Sequence, residues 1–360
     1  MIVGRMFRAW GSGIALGVSI LSEVVHPRNL GAVIAPVSAA AAANSAILPA
    51  RRSPSPPADR QNGPVPSSAL ILLNRPSASA VPHHTDAPAL TRHDPNSPVL
   101  SALDLSATRG DGIFETVGVG CGSPQALDHH LRRFTESARL LELPAPDIVA
   151  WRDAIAASIA AIDPVAEASV KIVLSRGVEG DDRPTGWAFA SASPDYTDAR
   201  VDGIAVITLD RGYRHDVEIT SPWLLAGAKT LSYAVNRSVM REAARHGADD
   251  VVFVSSDGFV LEGPSSTVVY RVGDHILTPG PRLGILDGTT QTSVFRCVES
   301  LGFGTGLAQP SPSDLRVADA VWLVSSVRLA APVYRLDGVE LPVDRELSAQ
   351  INAFLLAVRE

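Results

Sequence analysis

The amino-acid sequence predicts an α+β, or mixed α/β, fold in two domains whose sheets are built largely from hairpins. Three observations support this prediction. Apolar stripes at helical spacing alternate along the chain with short apolar runs typical of strands. Asp257-Gly258 separates two such runs as a hairpin turn does, and the polar stretch 193–202 resembles a linker. At 360 residues the chain is long enough for two domains with large cores.

The smaller, N-terminal domain is expected over residues 67–196 and begins near Ala69 with the apolar run ALILL. Ser123 can cap a helix whose first residue is Pro124. A second helix near 148–162 and a strand over 169–174 follow. The apolar stripe of the first helix comprises Leu127, Leu131, Phe134, Ala138 and Leu141.

The larger, C-terminal domain is expected over residues 197–360. Its predicted strands cover 204–209, 251–255, 259–261, 268–270, 275–278 and 321–325. Further helices are predicted to begin near Thr289 and to cover 346–358. A helix that Gly247 ends is predicted to turn an apolar face inward, formed by Val235, Val239, Met240, Ala243 and Ala244.

The first 66 residues differ in composition from the rest of the chain. Two arginines precede a mostly apolar run, as in a signal peptide, but the run is too short and too polar for a transmembrane helix. An Ala tract and a Pro/Ser-rich stretch follow, which cannot form a core. Three interpretations stay open: a non-native extension or mis-assigned start, a disordered tail, and export. We expect no catalytic residue in this segment.

The bulk composition excludes some classes of function. Hydrophobic residues make up 46% and charged residues 19% of the chain, as in a globular protein. The net charge of −7 gives no electrostatic footprint for DNA or RNA, so we expect no nucleic-acid partner and no membrane partner. Cys121 and Cys297 are far apart and share no metal-ligand spacing. We therefore expect no metal and a reduced, cytoplasmic protein.

Lys229 is the first candidate for chemistry, because the chain contains only two lysines, Lys171 and Lys229. Small and apolar residues flank Lys229 on both sides, so partial burial would lower the pKa of its amine. A desolvated amine can form a Schiff base with an aldehyde cofactor. The alternative is an ordinary solvated lysine.

Glu262 lies at the expected end of a strand, directly before Gly263. A carboxylate in such a position can pair with a pyridine nitrogen and keep it protonated. The alternative is an exposed carboxyl. Further along the chain, Gly288-Thr289-Thr290 opens a helix, where backbone N–H groups and hydroxyls can bind a phosphate. The alternative is that Asp287 and the threonines are simply helix caps. Arg133 could supply a fixed cation or be a surface arginine.

Five segments resemble, in this order, the fold-type-IV pyridoxal-phosphate (PLP) enzymes. That family includes branched-chain aminotransferases, D-amino-acid aminotransferases and 4-amino-4-deoxychorismate lyases. The resemblance extends from Ala69 to Glu360 and rests on RGDGIFET, HHLRRFTESARLL, AKTLSYAVN, FVLEGPSST and ILDGTTQT.

The resemblance implies a role for each matching residue. Lys229 would form the Schiff base with pyridoxal 5′-phosphate and move the substrate proton, and Glu262 would pair with the pyridine nitrogen. Arg133 would bind the phosphate, as would Gly288, Thr289 and Thr290. Thr267 stands where the family commonly has Asn, so its contact with the cofactor is an open point.

Residues expected on the substrate side of the site argue against one of the activities found in the family. Phe114 stands where D-amino-acid enzymes usually have Tyr, and the loop that carries Arg183 lacks their Arg-x-His pair. The run AKTLSYAVN is similar to the lyase type. Arg183 and Arg109 are the candidates for binding substrate carboxylates.

The resemblance therefore implies a homodimeric, PLP-dependent 4-amino-4-deoxychorismate lyase that forms p-aminobenzoate, a folate precursor, and pyruvate. The alternatives are a class IV aminotransferase acting on branched-chain or D-amino acids, and an inactive binding protein with the same fold. The inactive protein is expected to have lost Lys229 or Glu262, and both are present.

Overall fold

The computed structural model describes residues 68–79 and 87–358, all of which belong to the same structural unit. The predictions for residues 1–66 lie outside the described residues. Two sheets with separate apolar cores organise the described chain, and they divide it between residues 192 and 204. The boundary that we expect between residues 196 and 197 lies in this interval and stays a prediction.

The first sheet has six strands in the order β2-β1-β6-β5-β3-β4, and every neighbouring pair is antiparallel. Its elements are β1 (Ser68–Leu73), β2 (Leu90–His93), α1 (Leu105–Thr108), β3 (Gly112–Gly120), β4 (Ser123–Pro124), α2 (Leu127–Leu140), α3 (Ile148–Ala160), β5 (Glu167–Ser175) and β6 (Thr185–Ala192).

Helices α2 and α3 pack on one face of this sheet. The predicted stripe of α2 is buried in full, because residues three and four positions apart share one helix face. Phe134 contacts Trp151 of α3 edge to face, with ring centroids 5.0 Å apart. The predicted start of α2 at Ser123 is wrong: Ser123 and Pro124 pair with the end of β3, and the helix begins at Leu127 after Ala126 turns left-handed with φ of 47°.

The second sheet has eight strands, of which seven follow the order β11-β10-β9-β12-β13-β7-β8, and β14 pairs with β13. Its elements are α4 (Thr197–Val201), β7 (Ile204–Asp210), α5 (Val217–Thr220), α6 (Ala234–Arg245), β8 (Asp250–Val254), β9 (Thr267–Val272), β10 (His275–Pro279), α7 (Thr289–Ser300), β11 (Gly304–Ala308), α8 (Pro312–Arg316), β12 (Ala320–Ser325), β13 (Leu329–Leu336), β14 (Val339–Glu340) and α9 (Arg345–Ala357).

This larger sheet is mixed: β7 pairs in parallel with β8 and β13, and β10 with β11, whereas its centre is antiparallel. The prediction of a mixed, largely hairpin-built architecture is therefore confirmed. Sequence reasoning assigned no strand to the segments that form β3, β6 and β13. The expected linker 193–202 contains the short helix α4.

Two local predictions for the larger part are wrong. The strand expected over 259–261 forms only an isolated antiparallel bridge between Val254 and Val260, because Phe253 faces two residues: its N–H donates to the carbonyl of Glu262 and its carbonyl accepts from the N–H of Leu261. On α6, Val235 is 54% exposed and Ala244 is exposed, since the helix packs against the sheet mainly near Ala243. The described residues thus cover the apolar face of α6 only in part.

Within the described ranges, no helix combines the length and the apolar composition needed to cross a bilayer. Both cysteines are free thiols: Cys121 is exposed and Cys297 is buried in α7.

Candidate active site

The backbone of Lys229 forms hydrogen bonds with β3 and α2. The Phe114 N–H of β3 donates to the Lys229 carbonyl at 3.0 Å, and the Lys229 N–H donates to the Ser137 hydroxyl of α2 at 3.1 Å. The ammonium nitrogen of the half-buried side chain lies 4.7 Å from the centroid of the Phe114 ring. The backbone of Lys229 is therefore fixed by β3 and α2, and its side chain lies next to the Phe114 ring.

Burial shifts the pKa values of Lys229 and Glu262 in opposite directions. Burial lowers the pKa of the Lys229 amine, and the nearby Arg133 charge lowers it further. Burial also raises the pKa of Glu262 from 4.5 to about 7, although Lys229 and the Leu286 N–H, which donates to this carboxylate at 3.3 Å, act against the increase. Both groups are thus moved towards their neutral forms, which suits an amine that acts as a nucleophile and base.

A buried carboxylate, Glu115, organises the neighbouring helix α2. Its side chain is fully buried, and it accepts hydrogen bonds from Arg133 Nε and Nη2 at 2.6 and 2.8 Å and shares a third, of 2.8 Å, with His130 Nδ1. Burial alone would raise the pKa of Glu115, but Arg133 and His130 hold it well below its usual range. The carboxylate and the arginine thus form a fixed ion pair.

Three hydroxyl groups cluster at the N-terminus of α7, and we call this cluster the cradle. It consists of Thr289 and Thr290 of α7 and of Ser326, which directly follows β12. The Ser326 hydroxyl lies 3.4 Å from that of Thr289 and 3.3 Å from that of Thr290. Gly288 caps the helix, and a Cβ atom there would lie only 2.5 Å from the Thr267 hydroxyl, so a larger residue does not fit. Helix N-termini with free N–H groups bind anions well.

Arg133 connects the buried carboxylate to the cradle. While its Nε and Nη2 bind Glu115, its Nη1 donates to the carbonyl of Asp287 at 2.8 Å, one residue before Gly288. The guanidinium charge is therefore fixed beside the N-terminus of α7. The neighbouring Arg132 is exposed.

The candidate substrate residues are placed differently. Phe114 packs edge to face against Tyr233, with ring centroids 5.5 Å apart, and faces Lys229. Arg183 lies on the loop after β5, with its side chain 40% exposed, and it grips Asp181 of the same loop with Nε and Nη2. Arg109 is exposed and donates to the carbonyl of Thr108.

The structure therefore brings together the predicted residues Lys229, Phe114, Glu262 and Arg133. It also places Thr267 next to Gly288, and Thr289 and Thr290 next to Ser326. Sequence reasoning gave no role to Glu115, His130 or Ser326. One signal was available for Glu115: it alternates with Ile113 and Val117 on the buried face of β3, where a charged residue needs a partner. Ser326 carries no comparable signal.

Comparison with known proteins places these features in a family. The family model for amino-transferase class IV matches residues 112–336. The bifunctional aminodeoxychorismate lyase / D-amino acid transaminase of Mycobacterium tuberculosis is 46% identical over 258 residues, which cover 69% of this chain and 89% of that protein.

Solved structures agree with the family model. The fold IV transaminase CpuTA1 from Curtobacterium pusillum has a TM-score of 0.77 and 49% identity, covering 81% of this chain and 97% of the other. A PLP-bound hypothetical aminotransferase from M. tuberculosis has a TM-score of 0.70 and 43% identity, covering 74% and 96%. With its family motifs joined in one site between two sheets, the chain belongs to the class IV aminotransferase family.

Proposed function

We propose that this protein is a PLP-dependent 4-amino-4-deoxychorismate lyase that forms p-aminobenzoate and pyruvate. The observation that carries the proposal is the juxtaposition of Lys229, whose pKa is lowered by burial, with Glu262, whose pKa is raised by it, next to a fixed arginine and a helix N-terminus. The relative that is 46% identical carries this activity in its name, together with D-amino acid transamination.

The residues present fit pyridoxal 5′-phosphate. The phosphate dianion suits the cradle, the free N–H groups at the start of α7 and the charge of Arg133 beside them. Glu262 offers a carboxyl group for the ring nitrogen. The lowered pKa of Lys229 suits bond formation with an aldehyde.

When bound, the cofactor supplies an aldehyde for amines and a ring that withdraws electrons from the reacting carbon. Lys229 accepts the proton that leaves the substrate carbon bearing the amine, and its lowered pKa favours the free base that this step needs. Glu262 holds a proton on the ring nitrogen, and Arg133, Gly288, Thr289 and Thr290 hold the phosphate. Thr267, beside Gly288, supports the same end.

Substrate selection is assigned to three further residues. Phe114 provides an aromatic wall next to Lys229, which suits a ring substrate. Arg183 and Arg109 would bind the two carboxylates of 4-amino-4-deoxychorismate, and Arg183 would do so by exchanging part of its contact with Asp181.

D-amino acid transamination is the second candidate, and the name of the 46% identical relative favours it. Lys229 would serve both reactions, since each begins with removal of a proton from the carbon that bears the amine. Phe114 weighs against this candidate, because it has no hydroxyl group with which to bind a substrate carboxylate.

An assay of products separates the candidates. The PLP-loaded protein is incubated with 4-amino-4-deoxychorismate alone, and separately with D-alanine or leucine plus 2-oxoglutarate. The lyase proposal expects equal amounts of p-aminobenzoate and pyruvate. Formation of glutamate without any p-aminobenzoate would contradict it and favour an aminotransferase. Lys229→Ala should abolish every activity, whereas Lys171→Ala, at the other and exposed lysine, should leave it unchanged.

We also propose a cytoplasmic homodimer. Three apolar side chains ahead of Lys229 are exposed in the single chain: Ile219 by 76%, Trp223 by 73% and Leu224 by 54%. The uncovered Val235 of α6 follows closely in sequence. Such residues are enriched in interfaces between subunits. Light scattering should give twice the chain mass of 37.8 kDa, and a stable monomer would contradict the proposal.

A further inference from the structure

His130 lies between the buried ion pair and the cradle, with 1% of its surface exposed. Its Nδ1 atom is 2.8 Å from Glu115 Oε2. Its Nε2 atom is 3.2 Å from the Ser326 hydroxyl and 3.3 Å from the Thr289 hydroxyl. Both ring nitrogens are thus engaged, one with the carboxylate and the other with the groups that face the proposed phosphate.

The contact with Glu115 fixes the tautomer of the imidazole. An ionised carboxylate accepts hydrogen bonds and donates none, so Nδ1 carries the proton. Burial lowers the pKa of His130, which favours the neutral ring in the absence of an anion. In that state Nε2 has only a lone pair, and it accepts the hydrogen of Ser326 or Thr289.

The protonation state of His130 determines how many hydroxyl hydrogens the cradle can offer to an anion. The three hydroxyls of the cradle carry three hydrogens, and a neutral His130 takes one of them. At most two then remain for a phosphate dianion, which accepts hydrogen bonds and donates none. A protonated His130 instead donates from Nε2 to a hydroxyl oxygen, and all three hydroxyl hydrogens become available to the anion.

We propose that His130 is a proton-linked positioning residue: it takes up one proton when a dianion enters the cradle and thereby turns the hydroxyls of Ser326 and Thr289 towards that dianion. This inference rests on the proposed cofactor site and adds to it a coupling between protonation and phosphate binding. His130 acts through the cradle hydroxyls.

The charges around His130 favour the uptake of a proton when a dianion binds. Three charged or titratable groups face it: Glu115 of β3, which raises its pKa, and Arg133 of α2 and Lys229, which lower it. Glu115 and Arg133 compensate each other as an ion pair. A dianion therefore enters a region with little net positive charge, and a proton on His130 compensates part of the charge that it brings.

Sulfate tests the inference, because it is a dianion at neutral pH and binds no proton itself. Calorimetric titration of the apo-protein with sulfate at about pH 8, in two buffers of different ionisation enthalpy, gives the number of protons taken up. We expect about one, and hence an affinity that falls about tenfold per pH unit. The ¹⁵N NMR signal of His130 Nε2 should change from a bare to a protonated nitrogen.

His130→Asn is the critical variant, because its amide can still donate to Glu115 but leaves no second ring nitrogen. It should bind sulfate with no proton uptake and with an affinity independent of pH. His129→Asn, the neighbouring position that faces Asp287, should behave as the wild type. A thermal melt of each variant confirms that it is folded.

The outcomes separate this inference from the proposed function. Equal proton uptake in the wild type and His130→Asn, or none in the wild type, would overturn the role of His130 while leaving the cofactor site intact. If neither sulfate nor the phosphorylated analogue 4′-deoxypyridoxine 5′-phosphate binds, the proposed cofactor site itself fails.

Discussion

The two ends of the proposed site are built differently. At the phosphate end, the fully buried Glu115 holds Arg133 through two hydrogen bonds, and Gly288 leaves no room for a side chain. At the substrate end, Arg183 is 40% exposed and grips a carboxylate of its own loop, and Arg109 is exposed. We infer from this difference that the proposed site is preorganised for one constant ligand group, whereas the residues proposed to select a substrate lie at exposed positions that can change.

Removing the amine of Lys229, which lies between the two ends, should have the largest effect. Lys229→Ala is expected to lower kcat by about 10³-fold or more, because the proton at the substrate carbon loses its acceptor. The phosphate end should be unaffected, so 4′-deoxypyridoxine 5′-phosphate should bind as it does to Lys171→Ala. Activity retained within about tenfold would contradict the role of Lys229.

Glu115→Gln should disrupt the phosphate end. It leaves the Arg133 charge buried without its counter-ion, which we expect to cost about 3–5 kcal/mol of the free energy of unfolding. Urea unfolding of the apo-protein measures this. Glu136→Gln is the matched control, since Glu136 pairs with Arg139 on the solvent-exposed face of the same helix, and little change is expected there. Similar losses of unfolding free energy at positions 115 and 136 would contradict the difference that we expect between the buried and the exposed ion pair.

Arg183→Ala probes the substrate end. We expect a KM for 4-amino-4-deoxychorismate raised about tenfold, with kcat nearly unchanged, because a carboxylate contact present in both ground and transition states is lost. Thermal stability should stay the same, since the side chain lies on an exposed loop. Arg139→Ala, another exposed arginine, is the control. An unchanged KM would remove Arg183 from the substrate site.

The smallest effect is expected for the dependence of apo-protein stability on pH that the Glu262 carboxyl group causes. Burial raises its pKa to about 7, so the folded apo-protein keeps a proton that the unfolded chain has already lost. The apo-protein therefore loses stability as pH rises from 4.5 through 7. Glu262→Gln removes this loss, and its melting temperature should exceed that of the wild type by a few degrees at about pH 8 and converge with it at about pH 5. A difference independent of pH would contradict the raised pKa.

The parts of the site that follow from sequence are those with local rules. The stripe of α2, the start of α7 at Thr289 and the partly buried amine of Lys229 depend on spacing or on direct neighbours, and the structure places them as expected. The start of α2 failed because pairing of Ser123 with β3 outcompetes its use as a helix cap. The assignment of the motifs to a single site came from their order along the chain, which resembles that of a known family.

The remaining features depend on contacts distant in sequence. Ser326 reaches the cradle from the end of β12, 36 residues after Thr290, and nothing in its neighbours marks it. His130 gains its second contact only because Thr289 and Ser326, both distant in sequence, lie next to its Nε2 atom. On α6, the predicted burial of Val235 failed since no part of the described chain covers that face. A local sequence pattern does not show which distant element will contact a given residue.

Borohydride reduction of the PLP-loaded protein, followed by peptide mass spectrometry, tests the central claim most directly. The reduction makes the bond between cofactor and lysine permanent, and the chain offers only Lys171 and Lys229 as side-chain amines. The account predicts one pyridoxyl label per chain, on the peptide that contains Lys229, and none on Lys171. A label on Lys171, or a protein that takes up no cofactor, would contradict it.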